Sequence, residues 1–372
     1  MTLEVDREQV LAYRVAAHGL HRTESDAARL AVFDLGLQST QRDTAAISLA
    51  ARLDGPVSEA SVVDDQRFVL AWTHRGAPHF HRADELPSVV AALVPLDEAD
   101  AMARMGWQRR QVEAAGMGAT EGLFTTARAV RKVVGKPMSK GAVSTEVTKL
   151  VPPGLSYWCR GCQATHILEQ VLRLAAVHGG ARLVAGEFPA VLAPVKTRLR
   201  TTPDVEAATA VVRNYLRLHG PAGPGEAAGF IGTTATSAKK MWPADLTEVR
   251  YGGRKTFVPA TEADLLANPP EPAVVRLLPP WDPFLQARDR ATLVPDKARQ
   301  KEVWKILGNP GALLVDGEVA GTWRSRGSGR HRLDFTVTQF APLPPAIHKA
   351  AEEEAERVAG TRGFGDLRVA WA

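Results

Sequence analysis

The stretch 204–260 constrains the fold of this chain more than any other. Its apolar residues keep helical spacing as far as His219, and the run Gly220-Pro221-Ala222-Gly223-Pro224-Gly225 then turns the chain. A short helix follows, and a further helix is expected over 233–242. Two strand-like runs flank Tyr251-Gly252-Gly253-Arg254, with Glu248-Val249-Arg250 before it and Lys255-Thr256-Phe257-Val258 after it. Helices followed by a two-stranded wing make a winged-helix pattern, in which the second helix of the helix-turn-helix pair reads the groove. Here that helix is 233–242, bearing Lys239 and Lys240, and the wing offers Arg250, Arg254 and Lys255 to phosphate.

The same order recurs upstream. Over 121–190 the pattern gives a helix, a short helix opened by Pro137-Met138-Ser139, a helix over 166–176 and a wing strand over 181–185. The first third carries helices over 7–20, 25–35 and 44–53, then a strand over 67–73, a turn at Arg75-Gly76-Ala77-Pro78 and a return strand over 79–81. Beyond the linker Asn268-Pro269-Pro270-Glu271-Pro272 the texture changes to strands over 273–278, 312–315, 319–324 and 332–338. Asp316-Gly317 suits the type I′ turn of a hairpin. An acidic helix over 344–358, with Glu352, Glu353 and Glu354, is expected to pack on that sheet. The expected class is α+β: winged-helix units over 1–120, 121–200 and 201–268, then a small β-barrel with a final helix over 269–372.

At 372 residues the chain exceeds what one core usually organises, in keeping with several domains. With 45% hydrophobic and 23% charged residues it is compositionally globular, and no apolar run is long enough for a membrane span. The acidic start lacks a basic stretch followed by an apolar one, so no secretory signal is read and a cytoplasmic, nucleoid-associated protein is expected. A net charge of +5 permits a polyanionic partner, and its distribution says more. Residues 127–150 hold Arg128, Arg131, Lys132, Lys136, Lys140 and Lys149 against Glu146 alone, and Lys196, Arg198 and Arg200 add a second run. Such runs are either solvated faces or phosphate-binding surfaces.

Several strings along the chain resemble the HTH_42 superfamily, whose described members are the AlkZ and YcaQ type DNA glycosylases. They are Gly36-Leu37-Gln38, Trp72-Thr73-His74-Arg75-Gly76-Ala77-Pro78-His79, Leu278-Pro279-Pro280-Trp281-Asp282-Pro283-Phe284, and the segment from Leu314 through Asp316 and Gly321 to Trp323-Arg324. They fall in the family's order over nearly the whole chain. The resemblance implies three tandem winged-helix units and a β-barrel around a concave, C-shaped basic surface that embraces duplex DNA. It also implies a monofunctional glycosylase that releases N7-alkylated purines, bulky or cross-linked ones included; no cofactor is expected, and several winged units without a coiled coil argue for binding as a monomer. Family enzymes carry Gln-x-Gln or Gln-x-Asp where this chain has Gln38-Ser39-Thr40-Gln41. Gln38 matches the first member, and Thr40 stands in place of the second.

The chemistry such residues could do is simple. A cationic N7-alkylpurine leaves as a neutral base, so no acid is needed to protonate it. The protein has only to position water and stabilise positive charge on the sugar. Gln38 with Thr40 or Gln41 supplies dipoles, and Asp43 supplies negative charge or a base. Thr40 and Asp43 also fit a helix-capping box, a structural role compatible with the catalytic one. At the first hairpin, His79 and His81 share a face and could meet phosphate or a flipped sugar, or sit as neutral packed histidines beside Trp72; Arg75 suits a phosphate. Cys159, Cys162 and His166 have spacings that would let them share a helix face as three zinc ligands, but no fourth is evident beyond His178, and buried thiols are the competing reading. No metal is therefore assigned. The alternative function is a non-catalytic DNA-binding protein, a lesion sensor or regulator; a nuclease would need clustered carboxylates that the sequence lacks.

Overall fold

Asp6 opens the first helix by a reciprocal cap. Its carboxylate accepts from the Gln9 amide at 2.8 Å, and the Gln9 side chain accepts from the Asp6 amide at 3.0 Å, which fixes the start of Arg7–Ala17. The computed structural model describes residues 3–197, 199, 201–305, 307–329 and 331–372. It divides into two units, one formed by Met1–Asp65, Asn214–Gly223 and Ala244–Ala372, the other by Gln66–Arg213 and Pro224–Pro243. The segment 201–268 thus contributes to both, and Val205–His219 carries the chain across the 213/214 boundary.

In the first unit the strand pair around Gly252-Gly253 forms as expected. Leu246–Tyr251 and Arg254–Pro259 are antiparallel, and both glycines take positive φ, +56° and +73°, as a tight hairpin turn requires. Leu3–Val5 adds a parallel third strand, too short for its period to be read. Val5, Val10, Tyr13, Val249, Val258 and Leu266 close the core beneath. The helix expected over 25–35 is instead two single turns, Ala27–Arg29 and Ala31–Asp34, broken where Leu30 is extended at φ −67° and ψ 125°.

The C-terminal sheet has five strands in the order Val275–Leu278, Gly311–Val315, Glu318–Ser328, Arg332–Gln339 and Asp366–Trp371. Asp316 and Gly317, at φ +48° and +84°, make the expected hairpin turn. The expected β-barrel is not what forms: the sheet is open, with its first and last strands at the two edges. The last strand runs parallel to its neighbour, so the chain must cross over before pairing, and the helix Pro345–Thr361 makes that crossing. Ala351, Ala355, Val358 and Ala359 of this helix pack with Leu277, Leu313, Trp323, Phe335 and Val337 of the sheet.

The Trp281-Asp282-Pro283-Phe284 string has a structural duty in the same unit. The Asp282 carboxylate, fully buried, accepts from both terminal nitrogens of Arg52 at 2.7 and 2.8 Å, from Ser48 Oγ at 2.7 Å and from the Phe284 amide at 2.9 Å. Ser48 lies on the helix Thr44–Ala50, so the string clamps that helix in place.

In the second unit, five strands follow the order Pro78–Arg82, Phe68–Trp72, Ala181–Leu183, Val191–Pro194 and Met138–Ser139. Ala119–Val133 and Glu169–His178 pack through Leu123, Ala127, Val171 and Ala175, and Ser139 caps Lys140–Thr148 by accepting from Ala142 at 3.2 Å. The helix expected over 166–176 begins only at Glu169, because Ala164–Ile167 pairs with Ser156–Cys159 as a separate hairpin. The helix expected over 233–242 is Ala235–Lys240, capped by Thr234. Among the described residues no helix is long and apolar enough to cross a membrane.

Candidate active site

The glutamine loop leads into a helix whose seven residues, Thr44–Ala50, are all buried. Gly36 takes φ +88°, a left-handed turn that a side chain would strain, and Leu37 is buried completely. Gln38 follows and is itself only 7% exposed. Its Nε2 donates to Thr40 Oγ1 at 2.7 Å, while its Oε1 is buried with no hydrogen-bond partner among the described residues. Leaving a carbonyl oxygen so costs roughly 1–3 kcal/mol. An orphaned acceptor on an otherwise fixed side chain is the kind of group that a bound water or ligand completes.

The structure corrects the capping box expected of Thr40 and Asp43. Asp43 precedes the helix at φ +68° and makes no side-chain cap; Thr40 Oγ1 accepts from Gln38, and Thr44 Oγ1 donates to the Gln41 carbonyl at 2.8 Å. The Asp43 carboxylate accepts instead from Arg362 Nε at 3.1 Å, and Arg362 also donates to Ser325 Oγ at 2.8 Å. Thr40 and Gln41 are exposed.

A residue not anticipated from the sequence, Glu59, lies near enough to Asp43 to feel its charge. Burial and then the Asp43 charge push its carboxyl above the usual carboxylate range. The loop therefore joins an unsatisfied amide oxygen, a hydroxyl, the Asp43 carboxylate and the raised carboxyl of Glu59. No sequence signal singles out Glu59, which lies sixteen residues beyond Asp43 in an ordinary polar run.

The first hairpin does not offer its histidines to solvent. Thr73 Oγ1 lies 2.9 Å from His79 Nδ1 and 3.1 Å from His81 Nε2, and His74, His79 and His81 pack with ring centres 5.8 to 6.3 Å apart. Burial holds all three below the ordinary histidine value, His81 at about 4. The phosphate contact expected of His79 is corrected accordingly: it is 2% exposed and held neutral by burial first, then by its neighbours His81 and Arg75. Arg75 sits at φ +57°, donates to the Phe230 carbonyl and stacks 5.0 Å over the Phe230 ring.

The basic residues fall into two groups. Lys132, Lys136 and Lys239 are exposed and make no ion pair among the described residues. Arg250 and Arg254 are exposed beside the turn, and Arg250 faces Lys255, which pairs with Glu248. Lys140 is bound to Glu169 at 2.7 Å, Lys240 pairs with Asp97, and Arg131 donates to the His178 carbonyl at 3.2 Å. Arg198 and Arg200 lie outside the described residues. Cys159, Cys162 and His166 sit on the strands and turn of the 156–167 hairpin, not on the helix face expected; His178 is buried at the end of Glu169–His178 against Phe124.

An α+β chain with a buried glutamine before a clamped helix is matched over residues 34–361 by the family described as DNA glycosylase AlkZ-like, and the chain belongs to that family. A curated relative, an interstrand DNA cross-link repair glycosylase from Streptomyces sahachiroi, is 32% identical over 177 residues, which is 45% of this chain and 46% of the relative. The match thus spans about half the length of that relative. The solved structure of Streptomyces sahachiroi DNA glycosylase AlkZ shares the fold with a TM-score of 0.76 at 22% identity, over 100% of both chains.

Proposed function

We propose that this chain hydrolyses the N-glycosidic bond of N7-alkylated purines in duplex DNA, including bulky or cross-linked adducts. The observation that carries the reading is the buried, unpartnered Oε1 of Gln38 in a loop that the family match includes. A purine alkylated at N7 already carries the charge that makes it a good leaving group, so the protein's task falls on the sugar and on water. Gln38 Oε1 accepts a hydrogen bond from the attacking water, and Nε2, bonded to Thr40, keeps the amide from rotating. In this scheme Asp43 supplies negative charge towards the developing oxocarbenium ion, and its neighbour Glu59 takes the water's proton. Thr40, which stands where the family carries a second amide or carboxylate, serves in this scheme to orient Gln38.

The helix–hairpin segments over 1–120, 121–200 and 201–268 are read as winged-helix units that bind the duplex as a monomer. Lys132, Lys136, Lys239, Arg250 and Arg254 supply its phosphate contacts. The test is single-turnover base release from duplexes bearing N7-methylguanine or a bulkier N7 adduct, with Gln38→Ala as control. Release from the parent and a loss of roughly 100-fold or more in the variant, with DNA binding retained, is expected. Tight binding without release from either duplex overturns the enzyme in favour of a lesion sensor.

A further inference from the structure

Apart from the glutamine loop, one cluster of potential ligands stands out, on the hairpin formed by Ser156–Cys159 and Ala164–Ile167. We infer that Cys159, Cys162 and His166 form a zinc site with three protein ligands that staples this hairpin, the fourth position being taken by water. Their ligand atoms all lie within 4.8 Å of one another. Zinc bonds of about 2.3 Å to sulfur and 2.0 Å to nitrogen set neighbouring tetrahedral ligands about 3.5–3.8 Å apart, so binding asks these atoms to close by only about 1 Å.

The hairpin's register explains how the three converge. Tyr157 faces His166 and Cys159 faces Ala164, so Cys159 and His166 lie on one face of the ribbon, diagonal to each other across the pair. The turn returns Cys162 to the same place. Gln163 adopts φ +52° and donates from Nε2 to the Arg160 carbonyl at 2.8 Å, which fixes the turn. His166 Nε2 is buried without a partner, a nitrogen in want of one.

Two thiolates and an imidazole suit zinc better than the hard cations that prefer oxygen. Binding releases the two thiol protons to solvent, so the loaded site carries no net charge on its three ligands and metal. An open fourth position suits the location, because Cys162 is exposed and no fourth His, Cys, Asp or Glu joins the group among the described residues. A two-stranded ribbon of four residue pairs is at best marginally stable unaided, and this one keeps Tyr157 and Trp158 exposed. A metal cross-link at its turn would hold that aromatic tip in shape. The inference stands apart from the glycosylase reading and does not depend on activity.

The experiment is zinc analysis of the reduced, full-length protein by mass spectrometry, with Zn²⁺ titration against a competing chelator and Co²⁺ substitution read by visible absorption. About one zinc per chain is expected, with the d–d and sulfur charge-transfer bands of tetrahedral Co²⁺. Cys159→Ser with Cys162→Ser should abolish both while far-ultraviolet circular dichroism is unchanged. His166→Ala should weaken Zn²⁺ binding by about 100-fold or more, since loss of even an outer partner costs about 10–100-fold. Failure of the reduced parent to bind Zn²⁺ overturns the inference, as does equal binding by the serine variant, or Co²⁺ bound without sulfur bands.

Discussion

Replacing Gln38 by methionine should separate what the loop needs for stability from what it needs for chemistry. Methionine keeps the length and volume of the side chain and removes both polar atoms. The deleted Oε1 is buried and unpartnered, so its removal recovers roughly 1–3 kcal/mol of desolvation cost, while loss of the 2.7 Å bond from Nε2 to Thr40 gives back about 1 kcal/mol. Thr40 is exposed and can bond to water once the amide is gone. The balance lies between no change and about 2 kcal/mol of stabilisation. A conventional buried glutamine with both ends satisfied would instead lose stability on the same change. Urea unfolding of parent and variant reads the difference as a shift in midpoint at constant slope. Base release under single turnover should fall by roughly 100-fold or more in the same variant. A loss of more than about 1 kcal/mol would refute the reasoning, because it would mean that Oε1 already has a partner in the free protein. Undiminished base release would refute the assignment of Gln38 to the chemistry.

Arg52→Met should destabilise the first unit by about 3–5 kcal/mol, because it leaves the Asp282 carboxylate buried with only Ser48 and the Phe284 amide; the urea midpoint measures it. His74, His79 and His81 are held neutral with folded values below the unfolded one of about 6.5, so the unfolded chain binds more protons as the solution is acidified. Stability should therefore be fully present above about pH 6.5 and fall as the pH drops towards the value of about 4 held by His81, with a shallower fall in His81→Phe, both followed by urea midpoints across pH. Lys132→Gln, Lys136→Gln and Lys239→Gln together should reduce the salt slope of duplex binding by about 2.7, at 0.9 for each phosphate contact, whereas Lys140→Gln, whose charge already faces Glu169, should change it little; anisotropy titrations between low and high salt decide.

The alternation and turn residues in the sequence were enough to place the hairpins at 246–259 and around Asp316-Gly317, because only left-handed turn positions and a two-residue period produce such strings. Gln38 was marked by its motif and its neighbours, and the strand-rich C-terminal third by its change of texture. Other features depended on groups distant in the chain. Glu59 meets Asp43 only after the chain has folded, and the expected barrel is an open sheet because its first strand, Val275–Leu278, and its last, Asp366–Trp371, do not pair with each other. His79 and His81 have the same alternation whether they face DNA or the core; burial of their face around Thr73 decided for the core. The spacing of Cys159, Cys162 and His166 fits a helix face, yet pairing between the strands set them on a ribbon. Local pattern determines turns and strand periods, since those energies are settled within a few residues, whereas the cap expected of Thr40 and Asp43 gave way to partners elsewhere, Asp43 accepting from Arg362. Which faces are buried, which charges meet and which polar atom is left without a partner were decided only by tertiary packing, because each depends on residues tens to hundreds of positions apart.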